Sequence, residues 1–363
     1  MSNSVINRAA DNIRMLSAAM VEKAKSGHPG GAMGGADFTN LLYAEFLNYD
    51  PKNPRWINRD RFFMDPGHMS PMLYSVLHLA GFYTMDDLKG FRQWGSPTPG
   101  HPEVDFGRGV ENTSGPLGQG HTMAVGAAIA ERFLAARFGE WMAHKTYTFI
   151  SDGGIQEEIA QGAGRIAGHL GLHNLIMFYD SNDIQLSTEV NEVTGEDTAA
   201  KYRSWGWHVI TVNGNDADEL RGALKSAHDQ TERPTLIIGE TIMGKGAVTE
   251  SGDNFEGQVS THGQPLSAAG ASFAKTIENL GGSAENPFQV FPEVAELYAA
   301  RKAELELAAE KKQAEQKAWE NANPELAAKL HQFFSNEAPE IDYAAIDQKL
   351  HTATRAASAT VLA

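Results

Sequence analysis

Two short apolar runs in the sequence each end in a side chain that can bind a cation. Asp152 follows the run 147–150, and Asn182 follows the run 175–179. If both runs are neighbouring parallel strands, their carboxyl ends lie about 5 Å apart, and the two side chains could share one ion. With a backbone carbonyl they form an all-oxygen set, which suits Mg²⁺ or Ca²⁺. An ordinary strand-to-helix turn capped by Asp152 explains the same residues, so the spacing alone leaves both interpretations open.

Two segments of the sequence are rich in glycine. Gly153 and Gly154 come directly after Asp152, and glycine lets the backbone N–H groups of a following helix approach a phosphate. A second loop, GPLGQG at 115–120, precedes a helical pattern that begins near Thr122. No Lys-Ser or Lys-Thr pair follows this loop, so it is not a nucleotide-binding P-loop, and a structural turn is its simplest interpretation.

Four of the 13 histidines lie in turns rich in glycine or proline: His28, His68, His101 and His262. A single loop histidine is usually a surface residue. Four in such turns indicate more, because the turn holds the imidazole rigidly where a ligand can approach. An imidazole can donate a hydrogen bond to a phosphate, polarise a carbonyl or transfer a proton near neutral pH.

Strands and helices alternate in the part of the chain that carries these residues. Four apolar runs are typical of buried parallel strands: 147–150, 175–179, 207–212 and 235–239. Helical patterns precede and separate them, at 6–24, 37–47, 70–80, 122–137, 156–170 and 216–229. The alternation predicts an α/β fold, with a doubly wound, mainly parallel sheet that has helices on both faces, followed by a helical connector.

The composition excludes several classes of partner and site. The formal net charge is −16, and binding a nucleic acid or an anionic membrane surface needs clustered Lys and Arg, so neither partner is expected. The chain has no cysteine, which excludes disulfides, thiolate metal sites and cysteine nucleophiles. No apolar run has the length of a membrane span or the character of a signal peptide, so a cytoplasmic location is expected.

The composition changes after about residue 286. Residues 297–319 are rich in Ala, Glu, Lys and Gln, which is typical of a solvated helix, and 343–363 have helical periodicity. We therefore divide the chain into a first domain at 1–285, a helical connector at 286–338 and a last segment at 339–363.

At this point the chain resembles the amino-terminal part of transketolases. The resemblance is carried by eight motifs in order: SGHPGG, PGHMSPMLYS, PGHPE, GPLGQG, SDGGIQEE, YDSNDI, GWHVI and STHGQPL. The TRAAS segment around Arg355 extends it to the last segment. The resemblance implies that 1–285 are the diphosphate-binding domain of a thiamine diphosphate fold, and that 339–363 begin a truncated pyrimidine-binding domain.

Roles for individual residues follow from the resemblance. It implies that Asp152, Asn182 and the carbonyl of Ile184 bind Mg²⁺ or Ca²⁺, and that Gly153, His68 and His262 contact the cofactor diphosphate. Gly115 and Leu117 would line the thiamine ring, and Glu157 matches a glutamate at the subunit contact near the cofactor. The remaining roles concern the sugar: His28, His101 and His262 as catalytic and substrate-binding residues, and Arg355 as a fork for the sugar phosphate.

The implied reaction transfers a two-carbon ketol unit from a ketose phosphate to an aldose phosphate in the pentose phosphate pathway. Transketolases also have a pyrimidine-binding domain whose glutamate activates the cofactor. We therefore expect this chain to act only with a pyrimidine-domain chain, as a homodimer or a heterotetramer. Departures from the family pattern are Ser151 for glycine, Met69 after His68, and Gly162 where a second glutamate is common.

Other functions remain compatible with parts of the pattern. The alpha subunit of a 2-oxo-acid dehydrogenase has the same metal motif, but the histidines in SGHPGG and PGHPE favour a polar sugar. Deoxyxylulose-phosphate synthase is a weaker match at those turns. A non-catalytic cofactor-binding subunit would have no physical need of Asp152, Asn182 and the four histidines.

Overall fold

A computed structural model describes residues 3–335, 337–338 and 340–363. It falls into two compact units, Met1–Gln313 and Ala314–Ala363. The domain limits predicted at 285 and 338 stay predictions, and residues 1, 2, 336 and 339, which they include, lie outside the described residues.

The first unit is built on a sheet of five parallel strands in the order β1-β2-β3-β5-β4. The strands are β1 Arg61–Met64, β2 Thr146–Ser151, β3 Leu175–Ser181, β4 His208–Asn213 and β5 Thr235–Glu240. Their side chains alternate between two separate cores. Phe149 and Phe178 belong to one core, and Ile150 and Met177 to the other. The sheet is therefore covered on both faces, which confirms the predicted α/β class.

Fifteen α-helices lie within the described residues. They are α1 Asn3–Ala24, α2 Pro29–Gly34, α3 Ala36–Leu41, α4 Ser70–Leu79, α5 Met85–Lys89, α6 Gln119–Phe138, α7 Asp152–Gln156, α8 Glu158–His169, α9 Thr198–Ser204, α10 Ala217–His228, α11 Leu266–Ala269, α12 Phe273–Asn279, α13 Pro292–Ala322, α14 Pro324–Phe334 and α15 Thr354–Leu362. Among the described residues, no helix is both long enough and apolar enough to cross a membrane. The predicted cytoplasmic location stays a prediction.

Three elements differ from the prediction. Strand β1 was not predicted, because its four residues are too short to show a periodicity and Asp65-Pro66 follows them. The helix predicted at 156–170 is interrupted at Glu157, whose backbone is extended (φ −62°, ψ 133°). In 343–363 only α15 is an α-helix, and the left-handed backbone of His351 (φ 56°) precedes it.

The connector helix α13 is not solvated throughout. Its first half buries Val294, Leu297, Tyr298 and Leu305 in the core of the first unit, and Tyr298 Oη donates a hydrogen bond to Asn40 Oδ1 at 2.9 Å. These four residues lie on one face of the helix, because Leu297 and Tyr298 follow Val294 by three and four positions, and Leu305 follows Tyr298 by seven.

Candidate functional site

A cleft of about 460 Å³ lies at the carboxyl ends of β2 and β3, where ligands bind in open parallel sheets. It brings together ten of the residues predicted from the sequence: His28, His68, His101, Gly115, Leu117, Asp152, Gly153, Asn182, Ile184 and His262. They come from seven separate segments of the chain. The loop conformations and the sheet, rather than any one segment, therefore create the site.

The two predicted cation ligands are neighbours in space. Strands β2 and β3 pair in parallel, with Ser151 opposite Asp180, so Asp152 and Asn182 both lie just past the same edge of the sheet. The backbone N–H of Asn182 donates to Asp152 Oδ2 at 3.2 Å, and Tyr179 Oη donates to Asp152 Oδ1 at 2.5 Å. Burial raises the pKa of Asp152 to about 6.

A tight turn after β3 fixes the side chain of Asn182. Its Oδ1 accepts from Ile184 N at 3.1 Å, and its Nδ2 donates to Asp180 Oδ2 at 3.0 Å. Asp183 takes a left-handed backbone (φ 63°), which reverses the chain within the turn. Asp180 is fully buried and also accepts from the Thr241 hydroxyl. The turn therefore holds Asn182 and the Ile184 backbone beside the Asp152 carboxylate.

The groups near Asp152 and Asn182 that could bind a cation are oxygen atoms. No group of three or more His, Cys, Asp or Glu with metal-binding geometry occurs among residues 3–335, 337–338 and 340–363. One carboxylate, one amide and a backbone carbonyl are a weak set for a transition metal, but they fit a hard cation that takes its remaining ligands from phosphate and water.

Three histidines form a compact cluster in the cleft. Their ring centroids lie 5.1 Å (His28–His68), 5.3 Å (His68–His262) and 5.7 Å (His28–His262) apart. Burial, and then repulsion from His262 and Arg92, lowers the pKa of His28 to about 4. Burial also lowers the pKa of His68 and of His262. All three imidazoles are therefore neutral at pH 7, and each can donate one hydrogen bond and accept another.

Several polar atoms around the cleft are buried and have no hydrogen-bond partner within the described part of the chain: His28 Nδ1, His262 Nδ1, Ser151 Oγ and Gln185 Nε2. Leaving such an atom unpaired costs about 1–3 kcal/mol. A cost of this kind is offset when a ligand supplies the missing partner. The unpaired atoms and the open volume beside Asp152 fit a polar, anionic ligand that carries a cation.

Gly153 lies close to the side chain of Leu117 at the cleft wall. A Cβ at this position would lie 2.9 Å from Leu117 Cδ1, closer than carbon atoms approach one another. Gly153 is also the second residue of α7, whose first backbone N–H groups have no intrahelical acceptor. The turn after β2 therefore brings unpaired N–H donors to the edge of the cleft.

Two predicted site residues do not line the cleft. Glu157 is exposed at the break between α7 and α8, and its Cβ lies against Gly118. Arg355 is exposed on α15 of the second unit. The roles of both residues stay predictions.

The sequence analysis missed one buried carboxylate and several wall residues. Asp65 is fully buried at the carboxyl end of β1, and burial raises its pKa to about 6. It follows a strand that was not recognised, so its position at the same sheet edge could not be inferred. The wall residues that were given no site role are Gly31, Met69, Ser151, Gln185, Leu186 and Met243; of these, Met69 and Ser151 had been noted only as departures from the family pattern.

Known proteins share both the sequence and the fold. The family model described as "Transketolase, thiamine diphosphate binding domain" matches residues 5–339. A transketolase of Geobacillus stearothermophilus is 44% identical over 350 residues, covering 94% of this chain and 51% of the relative. One of Streptococcus pyogenes serotype M6 is 41% identical over 363 residues, covering 96% of this chain and 48% of the relative.

Solved structures agree with these relatives. A transketolase from Leishmania mexicana superposes with a TM-score of 0.88 at 36% identity, covering 95% of this chain and 51% of that one. A Pichia stipitis transketolase described as a complex with sedoheptulose-7-phosphate superposes with a TM-score of 0.87 at 36% identity, covering 93% and 50%. The chain thus spans about half the length of the relatives that it matches.

Proposed function

Because the chain belongs to the family of transketolase thiamine diphosphate-binding domains, we propose that it binds the diphosphate of that cofactor in the histidine cleft and takes part in ketol transfer between sugar phosphates. The observation that carries the proposal is the cleft itself. The cleft lies at the carboxyl ends of β2 and β3 and is lined by neutral imidazoles and by buried polar atoms that have no partner within the described part of the chain. Oxygen atoms that could bind a cation lie beside them.

The cation would bind at Asp152, Asn182 and the Ile184 carbonyl, and Mg²⁺ or Ca²⁺ fits these ligands. The positive charge of the bound ion would stabilise the ionised form of Asp152 and so reduce the free-energy cost of burying this carboxylate. The backbone N–H of Gly153 and the imidazoles of His68 and His262 would donate to the diphosphate. Gly115 and Leu117 would form the wall against the thiamine ring.

His28 and His101 would face the sugar. Burial, and then repulsion from Arg92, lowers the pKa of His101, so that it is neutral like His28 and can donate to a carbonyl or hydroxyl oxygen. When bound, thiamine diphosphate supplies the thiazolium carbon that takes up the two-carbon unit. The imidazoles of this chain bind the carbonyl group of the sugar and transfer protons at its oxygen. Because their pKa lies below neutrality, they are unprotonated at pH 7 and can act as weak bases.

Sugar phosphates are the proposed substrates. The description of the Pichia stipitis transketolase as a complex with sedoheptulose-7-phosphate supports this class of ligand. Arg355 is proposed to bind the phosphate with its guanidinium fork, and Glu157 to lie at a subunit contact. A 2-oxo-acid dehydrogenase subunit and a non-catalytic subunit are not proposed, since the matching relatives are transketolases.

A homodimer is the proposed assembly of this domain. Helices α6 and α8 pack against each other and expose five large apolar side chains: Met123, Ile129, Phe133, Ile159 and Ile166. Adjacent exposed apolar residues of this number are typical of a protein interface. Ile166→Asp should shift the mass measured by analytical ultracentrifugation to that of the monomer. Val193→Asp, at an exposed apolar residue elsewhere, is the matched control, and an unchanged mass for Ile166→Asp would contradict the interface.

We further propose that a pyrimidine-domain chain completes the site. The experiment is an assay of the purified chain with xylulose 5-phosphate and ribose 5-phosphate, first alone and then with the candidate partner, in the presence of thiamine diphosphate and Mg²⁺. We expect ketol transfer only in the mixture. Equal turnover by the chain alone would contradict the need for a partner, and no turnover in either case would contradict the proposed reaction.

A further inference from the structure

The loop that carries Gly115 and Leu117 is fastened to β1 by side chains. The amide of Asn112 pairs with both backbone groups of Met64: its Oδ1 accepts from Met64 N at 3.1 Å, and its Nδ2 donates to Met64 O at 3.1 Å. Two residues later, Ser114 Oγ donates to Asp65 O at 2.5 Å. The start of the loop is therefore fixed to the edge strand.

The end of the loop is the start of α6, and this helix has no capping side chain of its own. Its N-cap residue is Gly118, with a left-handed backbone (φ 84°). The first N–H groups of a helix need acceptors from outside the helix, usually a Ser, Thr, Asp or Asn at the N-cap. Glycine cannot supply one, so the acceptor has to come from elsewhere.

Asp65 supplies that acceptor from a distant segment. Gly118 N donates to Asp65 Oδ2 at 3.0 Å, His121 N donates to Asp65 Oδ1 at 3.2 Å, and the N–H of Gly120 also bonds the carboxyl. Gly120 and His121 are the second and third residues of α6, whose N–H groups a capping side chain normally bonds. The positive end of the helix dipole further favours a carboxylate at this place.

Two glycines pack closely against Asp65. A Cβ at Gly120 would lie 2.6 Å from Asp65 Cα, and a Cβ at Gly154 would collide with Asp65 Oδ2. The carboxylate thus lies between the GPLGQG loop and the turn that follows Asp152, and it is fully buried. Asp65 does not itself line the cleft.

We propose that Asp65 is a positioning residue that caps α6 from another segment and thereby sets Gly115 and Leu117 at the wall of the cofactor cleft. The inference rests on the proposed function, since it takes that wall to face thiamine diphosphate. Asp65 acts through the loop and does not touch the reacting atoms. Its loss should therefore weaken cofactor binding, while kcat at saturating cofactor should be retained.

The test compares Asp65→Asn with Asp60→Asn. Asp60 is a buried carboxylate of the same segment that accepts Lys145 N at 2.7 Å and Asn48 N at 2.9 Å, but it lies at the opposite end of β1. Both variants and the unchanged chain are titrated with thiamine diphosphate and Mg²⁺ by calorimetry, with the pyrimidine-domain partner present. Hydrogen exchange of the backbone amides at 115–121 is measured in the chain without cofactor.

We expect Asp65→Asn to raise the cofactor Kd about tenfold, because one or two hydrogen bonds to a charged group are lost. We also expect faster hydrogen exchange of the backbone amides at 115–121. Asp60→Asn should change neither, even if both variants lower Tm equally. Equal effects of the two variants on Kd, or a change in Tm alone, would overturn the inference.

Two further outcomes stay informative. If Asp65→Asn does not fold, exchange in the unchanged chain decides: amides of Gly118 and His121 that exchange as fast as an unstructured peptide would overturn the capping role, and protected amides support it. If the unchanged chain with its partner binds no cofactor, the proposed function fails, whereas the exchange comparison between the two variants still tests the cap.

Discussion

At the amino ends of the strands, buried ionisable groups have partners within the protein. Asp60 accepts three hydrogen bonds from Lys145 and Asn48, and Glu131 accepts from Asn174 and from His144 N. The His144 ring bonds Met142 O and the Arg61 guanidinium. At the carboxyl ends the buried carboxylates also have partners, but the cleft imidazoles differ: His28 Nδ1 and His262 Nδ1 have no partner among the described residues.

The difference separates two uses of a buried polar group. A group with its partners in place ties segments together, and removing it leaves those partners unpaired. A group without partners costs stability until a ligand arrives. We therefore expect changes at the partnered groups of the amino end to act mainly on folding, and changes at the groups that line the cleft to act mainly on binding.

The largest effect is expected at the amino end. Asp60→Ala should lower the free energy of unfolding by about 3 kcal/mol, because it removes three hydrogen bonds to a buried carboxylate, each worth about 1 kcal/mol. Urea unfolding followed by circular dichroism measures this loss. Lys52→Ala, at an exposed residue of the same region, is the control. A loss for Asp60→Ala no larger than the control would remove the distinction between the two ends.

The matching change at the carboxyl end is Asp152→Ala. It should weaken thiamine diphosphate binding in the presence of Mg²⁺ about 100-fold or more, since changes even to the outer shell of a metal site cost 10–100-fold. The free energy of unfolding without ligand should fall less than for Asp60→Ala. Burial raises the pKa of Asp152 to about 6, so removing this carboxylate also removes an unfavourable buried charge, which offsets the acceptor lost by Tyr179 Oη and Asn182 N. Calorimetric titration with the partner chain present measures the affinity. Unchanged affinity would contradict the cation site.

Arg355 is an exposed residue of helix α15 in the second unit and gives a third kind of change. Arg355→Ala should raise KM for a phosphorylated ketose about tenfold, the value of one charged hydrogen-bonded contact, and should leave stability and cofactor affinity unchanged. Steady-state kinetics with xylulose 5-phosphate and with an unphosphorylated ketol donor separate these effects. Lys349→Ala, at another exposed cation of the second unit, is the control. Equal changes for both donors would refute the phosphate role.

The smallest effect concerns pH. An unfolded histidine has a pKa near 6.5, whereas burial lowers the pKa of His28 to about 4. Between these values the unfolded chain binds a proton that the folded chain does not, so this group destabilises the fold as pH falls from 6.5 to 4. His28→Asn should make the unfolding free energy less dependent on pH in that window, by less than one proton. Urea unfolding at several pH values tests this, and an identical slope in the variant would contradict it.

Much of the fold was predictable from the sequence because β2 and β3 are buried along nearly their whole length and therefore read as continuous apolar runs. Strand β1 was not, since Arg61–Met64 becomes a strand only through its pairing with β2. The interruption at Glu157 was also hidden, because the residues on both sides of it favour a helix.

The site divides in the same way. His28, His68, His101 and His262 were recognisable because each lies in a local turn with its own glycine or proline. Asp65 was not recognisable, because its role depends on α6, which begins 54 positions later. The partners of Asp180 and the four unpaired cleft atoms likewise follow from contacts between distant segments, which no local pattern contains.

The pairing of Asn112 with Met64 has a consequence for how the protein behaves in a crowded solution. Strand β1 is an outer strand of the sheet, and the free N–H and C=O groups of such a strand can pair with the strand of another molecule. The Asn112 amide occupies both groups of Met64 and so blocks pairing at this residue of the outer edge. Asn112→Leu would expose them again, and we expect that variant to form edge-to-edge aggregates during refolding at concentrations that the unchanged chain tolerates.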